Sequence, residues 1–320
     1  MNFLARFSHS SIFADMSLPA EYLDLLVHPV YKTPLKYDVN INQLRDDEHN
    51  DLFAIKENVP VLLTNILDAA LSTTDQNKQA GTVFQYKLHY QTDAEVYDYF
   101  ENINNEAERV EIDRLRQTIV SQIPPSAKWI LDVGCGGGWL AKAIVPKGFH
   151  VISMDISDVN PIKATKRVAS AHHFGLVADV FELPVKPDSI DCIIASEIIE
   201  HVSDPKKFLE ALFAVLKPGG KIIVTTPYNE LIRTSLCIHC NKETPHNAHL
   251  HSFTEESMKK SLPHGTRKVS MKVFNSKLLV RTQVQKLLKS LPLTVWNYFD
   301  KLGNTLTGKK AFRLMVVIEK

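Results

Sequence analysis

The sequence is short of cysteine, of any excess charge and of long apolar runs. Only four cysteines occur in 320 residues, too few and too irregular for a disulfide framework. Lys and Arg total 37 against 36 Asp and Glu, so net charge names no partner, although a balanced total leaves room for a local basic patch. The longest apolar stretches, such as Ile190 to Ile199, are interrupted by charges, there Asp191 and Glu197, and none approaches the roughly 20 residues that span a bilayer. No membrane span is expected. Met1 to Ser17 carries Arg6, several serines and Asp15, too little to read as a secretory or mitochondrial signal, and the cytoplasm is the default expectation.

What is present is ordinary for a soluble globular protein: 44% hydrophobic and 23% charged residues. The length exceeds a usual single domain, which predicts one catalytic domain plus a smaller module. Ala20 to Leu63 is punctuated by Pro29, Pro34 and Pro60 between short apolar runs, the pattern of a small, turn-rich unit. Ser72 to Gly81 is polar and reads as a linker or exposed loop. Glu106 to Ile123 has helical apolar spacing and stops at Pro124-Pro125.

Strands and helices then alternate. β-Branched runs at Trp129 to Val133, His150 to Met154, Ile190 to Ala195 and Lys221 to Thr225 are separated by helical patterns at Leu140 to Pro146, Ile162 to Ala171 and Pro205 to Leu216. Continuously apolar strands belong in a parallel sheet covered on both faces. The fold expected is therefore doubly wound α/β. Lys217-Pro218-Gly219-Gly220 should close the last helix. Beyond it, Phe253 to Ser261 reads as helix with Ser252 or Thr254 as its start, Leu278 to Tyr298 as helix broken at Pro292, and Phe312 to Ile318 as a final strand.

The glycine-rich turn Asp132-Val133-Gly134-Cys135-Gly136-Gly137-Gly138 sits between the first strand and its helix. Glycines there let a ligand approach the backbone and the helix N-terminus. Their G-x-G-x-G spacing differs from the dinucleotide fingerprint G-x-G-x-x-G. Met154-Asp155 ends the second strand, where an acid can take both hydroxyls of a ribose; Ala178-Asp179 and Ala195-Ser196-Glu197 follow at later strand ends, where open α/β sheets bind ligands.

From Ile130 to Pro227 these motifs, Leu-Asp-Val-Gly-Cys-Gly-Gly-Gly, Met-Asp-Ile-Ser, Ala-Asp-Val-Phe-Glu-Leu-Pro, Ala-Ser-Glu-Ile-Ile-Glu-His-Val and Leu-Lys-Pro-Gly-Gly-Lys-Ile-Ile-Val-Thr-Thr-Pro, resemble in order the core of class I S-adenosylmethionine-dependent methyltransferases. The resemblance implies a mostly parallel seven-stranded sheet and S-adenosylmethionine as cofactor. It implies that Asp132, Gly134, Cys135 and Gly136 hold the methionyl part, Asp155 with Ile156 the ribose, Asp179 with Val180 the adenine, and that Ser196 lines the sulfonium side.

For the acceptor, the informative residues follow the fourth strand. An Asn/Asp-Pro-Pro-Tyr motif, usual in amino-methyltransferases of bases, is replaced by Ser196-Glu197-Ile198-Ile199-Glu200-His201. If that segment is helical, Glu197, Glu200 and His201 share a face and can ligate a divalent cation that acidifies an acceptor hydroxyl. His201 can alternatively serve as general base or simply pack. The Glu-x-x-Glu-His pattern resembles ubiquinone-pathway O-methyltransferases and small-RNA 2′-O-methyltransferases, which implies an oxygen acceptor. A small molecule is favoured, with RNA or protein as alternatives; a non-catalytic S-adenosylmethionine-binding module is a further one.

Two other features carry ligands. Cys237 and Cys240 with His249 and either His246 or His251 fit a tetrahedral structural zinc site, unless the segment is merely Cys- and His-rich; His251 also stands where the RNA enzymes send a further histidine to their metal. Residues 22–35 and 58–63 resemble the small zinc ribbon that activates tRNA and protein methyltransferases, but His28-Pro29-Val30-Tyr31 replaces Cys-Pro-x-Cys, and the second pair falls near Asp46 and His49. The division expected is an N-terminal segment to residue 20, the degenerate ribbon over 21–65, a linker and helical lead-in over 66–100, and the methyltransferase domain over 101–320 with a Cys/His insertion at 235–251.

Overall fold

The computed structural model describes residues 18–64, 85–100, 105–238 and 241–320. The linker read at Ser72 to Gly81, the segment from Met1 to Ser17, and Cys240 lie outside them. Among the described residues one sheet of eleven strands runs through the molecule.

Its centre is parallel. Strands β5 (Trp129–Val133), β6 (His150–Asp155), β7 (His173–Ala178), β8 (Ile190–Ser196) and β9 (Leu216–Pro227) lie in the order β7-β6-β5-β8-β9. β5 and β7 are buried at every position, as strands covered on both faces must be. Two short strands, β10 (Thr234–Leu236) and β11 (Glu243–Pro245), pair only with each other among the described residues. The last two, β12 (Lys268–Ser276) and β13 (Ala311–Glu319), complete the expected seven, with β13 antiparallel between β9 and β12. β9 begins earlier than its sequence suggests: Lys217 to Gly220 is already strand, because Gly219 N–H bonds the carbonyl of Lys320 at the end of β13.

Helices flank these strands: α3 (Glu106–Val120), α4 (Trp139–Ile144), α5 (Val159–Arg167) and α6 (Pro205–Val215), preceded by α1 (Ala20–Leu23) and α2 (Tyr86–Val96). α6 starts where Asp204 accepts bonds from the N–H groups of Lys206 and Lys207 and Pro205 fills the first turn. α7 (Glu255–Lys259) starts from a Thr254–Ser257 capping box. The tail helix breaks into α8 (Lys277–Arg281), α9 (Val284–Leu287) and α10 (Leu293–Leu306), the last beginning just after Pro292.

The N-terminal strands β1 (Lys36–Asp38), β2 (Gln43–Arg45), β3 (Leu52–Lys56) and β4 (Val59–Leu62) form an antiparallel meander. β4 then pairs parallel with β7 and so extends the central sheet. Tyr22, Leu44, Phe53 and Leu62 share one buried cluster with Trp129, Leu131 and Ile152, and the Tyr22 hydroxyl donates to Gly175 O at 2.7 Å. The meander thereby covers what would be an unpaired sheet edge.

His28, Asp46 and Asp51 bring ligand atoms within 4.8 Å of one another in this part. Yet His28 Nδ1 accepts from the N–H groups of Val30 and Tyr31, both at 3.1 Å. Its proton is therefore on Nε2, which donates to Asp51 Oδ2 at 3.0 Å. Asp46 is in turn bonded to His49, whose ring stacks on Tyr31. Hydrogen bonds hold these four positions together, and a cation would have to displace the Nε2 proton.

Candidate functional site

All the cofactor residues named from the sequence gather at the carboxyl ends of the parallel strands. Asp132, next to last in β5, has its side chain buried and Oδ2 without a partner; burial, reinforced by the charge of Asp155, pushes its carboxyl up to about 7. The turn that follows folds back on the second strand through Cys135 N–H to Met154 O at 2.9 Å. Gly136 has φ +44 and a Cβ built there would meet nothing within 4 Å, so the turn opens a space directly over its backbone. Gly137 is different: a Cβ there would collide with the Tyr99 carbonyl oxygen, which shows the backbone of Tyr99 and Phe100 lying against the loop.

Asp155 is held by Ser157 N–H at 3.0 Å and Asn160 Nδ2 at 3.1 Å. Burial raises its carboxyl even against those bonds. Asp179 is likewise buried, with Oδ1 accepting from Phe181 N–H at 3.0 Å and Oδ2 from the Tyr86 hydroxyl on α2. Ile156 and Val180 follow their aspartates half-buried. Ser196 Oγ lies 3.1 Å from Thr225 Oγ1.

The segment after β8 departs from expectation. It is a turn, not a helix, because Glu197 takes φ +58, so the shared helical face of Glu197, Glu200 and His201 does not form. The geometry regroups them. Glu200, His201 and His249 bring ligand atoms within 4.8 Å, while Glu197 Oε2 forms an ion pair with Arg313 Nε at 2.8 Å. Oε1 of Glu197 and Oε1 of Glu200 are both buried without partners. Oε2 of Glu200 accepts from Thr226 Oγ1 at 2.9 Å.

The electrostatics follow from this burial. Glu200 is pushed well up by desolvation and then by the neighbouring Glu197 charge, and Glu197 is raised by desolvation against the pull of Arg313. Burial and the nearby His249 push His201 down to about 4. The group therefore sets a neutral imidazole, His201, beside two carboxyls whose charged forms burial disfavours and a further positive partner would favour.

His249 reaches the group because the chain after β9 is tied back to it: Leu250 N–H donates to Glu200 O at 2.7 Å, and His249 Nδ1 meets Glu230 Oε2 at 2.6 Å. This corrects the histidine expected from sequence. His251 instead donates Nε2–H to the Val202 carbonyl at 3.0 Å. Of the zinc ligands expected, His249 thus belongs to the Glu200 group and His251 to a backbone carbonyl, so these two histidines do not share a site.

Sequence reasoning missed Tyr86, Thr226, Glu230 and Arg313. Of these only Arg313 had a signal, as the single charge inside the apolar run Ala311 to Ile318.

Comparison with known proteins gives a match of residues 104–264, half of the chain, to a methyltransferase domain. The ubiquinone biosynthesis O-methyltransferase of Xylella fastidiosa is 33% identical over 111 residues, 34% of this chain and 45% of that one. The demethylmenaquinone methyltransferase of Clavibacter sepedonicus is 30% identical over 146 residues, 42% of this chain and 60% of that one. The chain thus spans about half the length of the curated relatives it matches. Among solved structures, the [4+2]-cyclase SpnF superposes with a TM-score of 0.50 at 16% identity, covering 73% of this chain and 93% of its own, which concerns the fold. The matched domain does not reach the N-terminal meander, and the comparisons lend its zinc-ribbon resemblance no support.

Proposed function

The chain belongs to the methyltransferase-domain family, and from that premise we propose that it transfers the methyl group of S-adenosylmethionine to an oxygen of a small molecule, with a divalent cation at Glu200, His201 and His249. The residues suit the cofactor: open space over Gly136, a partnerless buried oxygen on Asp132, and a fixed Asp155 where a ribose would be held. They suit a cation as well, since two buried carboxylate oxygens, one each on Glu197 and Glu200, lack partners beside two imidazoles. When bound, the cofactor supplies an electrophilic methyl and the cation acidifies an acceptor hydroxyl.

The protein's own part is alignment and proton handling. Asp155 and Asp179 would fix the two ends of the nucleoside, and Ser196 would line the reacting side. Glu230 orients His249 by binding Nδ1, leaving Nε2 to face the group, as an outer carboxylate does for a ligating imidazole. Because burial holds His201 low, it would be a weak base for the acceptor proton.

The observation that carries this reading is the convergence of buried Glu200 with half-buried His201 and His249. The names of the relatives, which concern ubiquinone and menaquinone, favour a small acceptor. The approach of His249 to Glu200 and His201 supports a second reading, an RNA 2′-hydroxyl acceptor, because a further histidine from this loop, expected at His251, is what the resemblance to small-RNA methyltransferases implies.

Manganese titration of the purified chain, with S-adenosylmethionine-induced shifts in melting temperature, provides the test. Glu200→Gln and His249→Ala should lose manganese binding and keep the cofactor shift. Absence of manganese binding by the unaltered protein would overturn the cation. Labelled-methyl transfer to quinol extracts and to short RNAs then separates the two acceptors.

A further inference from the structure

The near-neutral total conceals a strongly basic segment. Between Arg267 and Lys310 lie ten lysines and arginines and one acid, Asp300, which is buried. The chain as a whole carries +1, so the remainder is net acidic. The segment builds β12, α8, α9 and α10, and α10 packs against α8 and β12.

α10 is amphipathic in an unusual sense. It buries Trp296, Asp300, Gly303 and Asn304, yet Val295, Tyr298, Phe299, Leu302 and Leu306 are between 37% and 71% exposed. Their spacing places all five along one stripe beside the buried one, on a 14-residue helix about 20 Å long. Leu287 on neighbouring α9 is exposed too, at 83%. Some surrounding cations are satisfied, Lys289 by Glu106 and Lys309 by Glu255. Arg281, Lys301 and Lys310 meet no carboxylate within ion-pair distance among the described residues.

We propose that this face of α10, with its basic surround, docks the protein onto an anionic lipid surface. An apolar stripe on a helix flanked by unpaired cations has the two attractions that an anionic bilayer offers at once: acyl-chain contact for Val295, Tyr298 and Leu302, and negative headgroups for Arg281, Lys301 and Lys310. A nucleic acid would call for the cations on the stripe itself, whereas the stripe is aliphatic and aromatic along its length. A second copy of the chain would bring the same positive segment against itself. The docking is independent of the acceptor and of the cation proposed above.

The test is flotation of the full chain with phosphatidylcholine vesicles, alone or with about 30% phosphatidylglycerol. The protein should rise with the anionic vesicles, stay behind with the neutral ones, and be released by salt. Arg281→Gln/Lys301→Gln/Lys310→Gln should lower partitioning on the order of a hundredfold, and Tyr298→Ser/Leu302→Ser at least about tenfold. All five positions are exposed, and an unchanged melting temperature verifies folding. The proposal fails if the unaltered protein ignores anionic vesicles, or if the Tyr298/Leu302 variant binds them as the unaltered protein does. It fails equally if single-stranded RNA occupies the face more tightly than vesicles, or if light scattering shows a dimer that those two substitutions dissolve.

Discussion

Replacing Arg313 by methionine removes a charge while keeping most of the bulk. The Arg313 guanidinium stands 2.8 Å from Glu197 and 3.7 Å from Glu111, and the Arg313 and Glu197 side chains are 22% and 25% exposed. Exposed pairs contribute roughly 0–1 kcal/mol, and stranding one partner of a buried pair costs roughly 3–5 kcal/mol. At this partial exposure the loss should be about 2 kcal/mol near neutral pH, or about 4 °C in melting temperature. Protonation limits it. Burial already holds the Glu197 carboxyl above its ordinary 4.5, and Arg313 opposes that rise, so without Arg313 it climbs further. The folded state then keeps a proton that the unfolded state has released, and the deficit deepens with rising pH. On acidification it should shrink by at most about 1.4 kcal/mol per pH unit. Thermal unfolding of both proteins from about pH 5 to 8 reads this directly. Because Glu200 is coupled to the same pair, Glu197→Gln in the Arg313→Met background isolates the effect and should flatten the difference. A deficit constant across that range, or none, would refute the ion-pair account.

Gly136→Ala should cost only about 1–2 kcal/mol of stability, the strain of a left-handed alanine, because its Cβ meets no protein atom; the same methyl enters the open space and should abolish the S-adenosylmethionine melting shift. Tyr86→Phe removes the hydroxyl that competes for Asp179 and should tighten cofactor binding several-fold, measured by calorimetry; weaker binding would mean that the hydroxyl helps hold the ligand. Asp300 is pushed by burial from 3.8 to about 6, so the folded state binds more protons than the unfolded between those values and stability falls as pH rises through them, by about 3 kcal/mol in all. Asp300→Asn, which retains an oxygen for the Ser276 N–H bond, should remove that slope from a denaturant series.

The parts of this molecule legible in its sequence are those decided by neighbours along the chain. Strands β5, β6 and β8 announce themselves because a strand buried on both faces must be apolar at nearly every position, and Asp132, Asp155 and Asp179 because each sits at or beside the end of a strand. The β1 to β4 meander gave no sign of its place, since pairing of β4 with β7 joins residues 116 positions apart, Val61 and Val177. The site divides the same way. Glu200 and His201 are adjacent and read together, but Glu197 leaves them, taking a left-handed turn and pairing with Arg313 on the final strand. Choosing His249 over His251 is subtler, because both lie in the same loop and carry the same ring. The decision is made by the backbone bonds from Leu250 and His251 to the Glu200 carbonyl and by Glu230, which holds His249 Nδ1, while the Val202 carbonyl takes the proton of His251. If that assignment of the two rings is right, Glu230→Gln should weaken manganese binding by about tenfold or more through His249, whereas His251→Gln should leave it nearly unchanged. Equal losses from both would mean that the loop as a whole, rather than one oriented imidazole, completes the group.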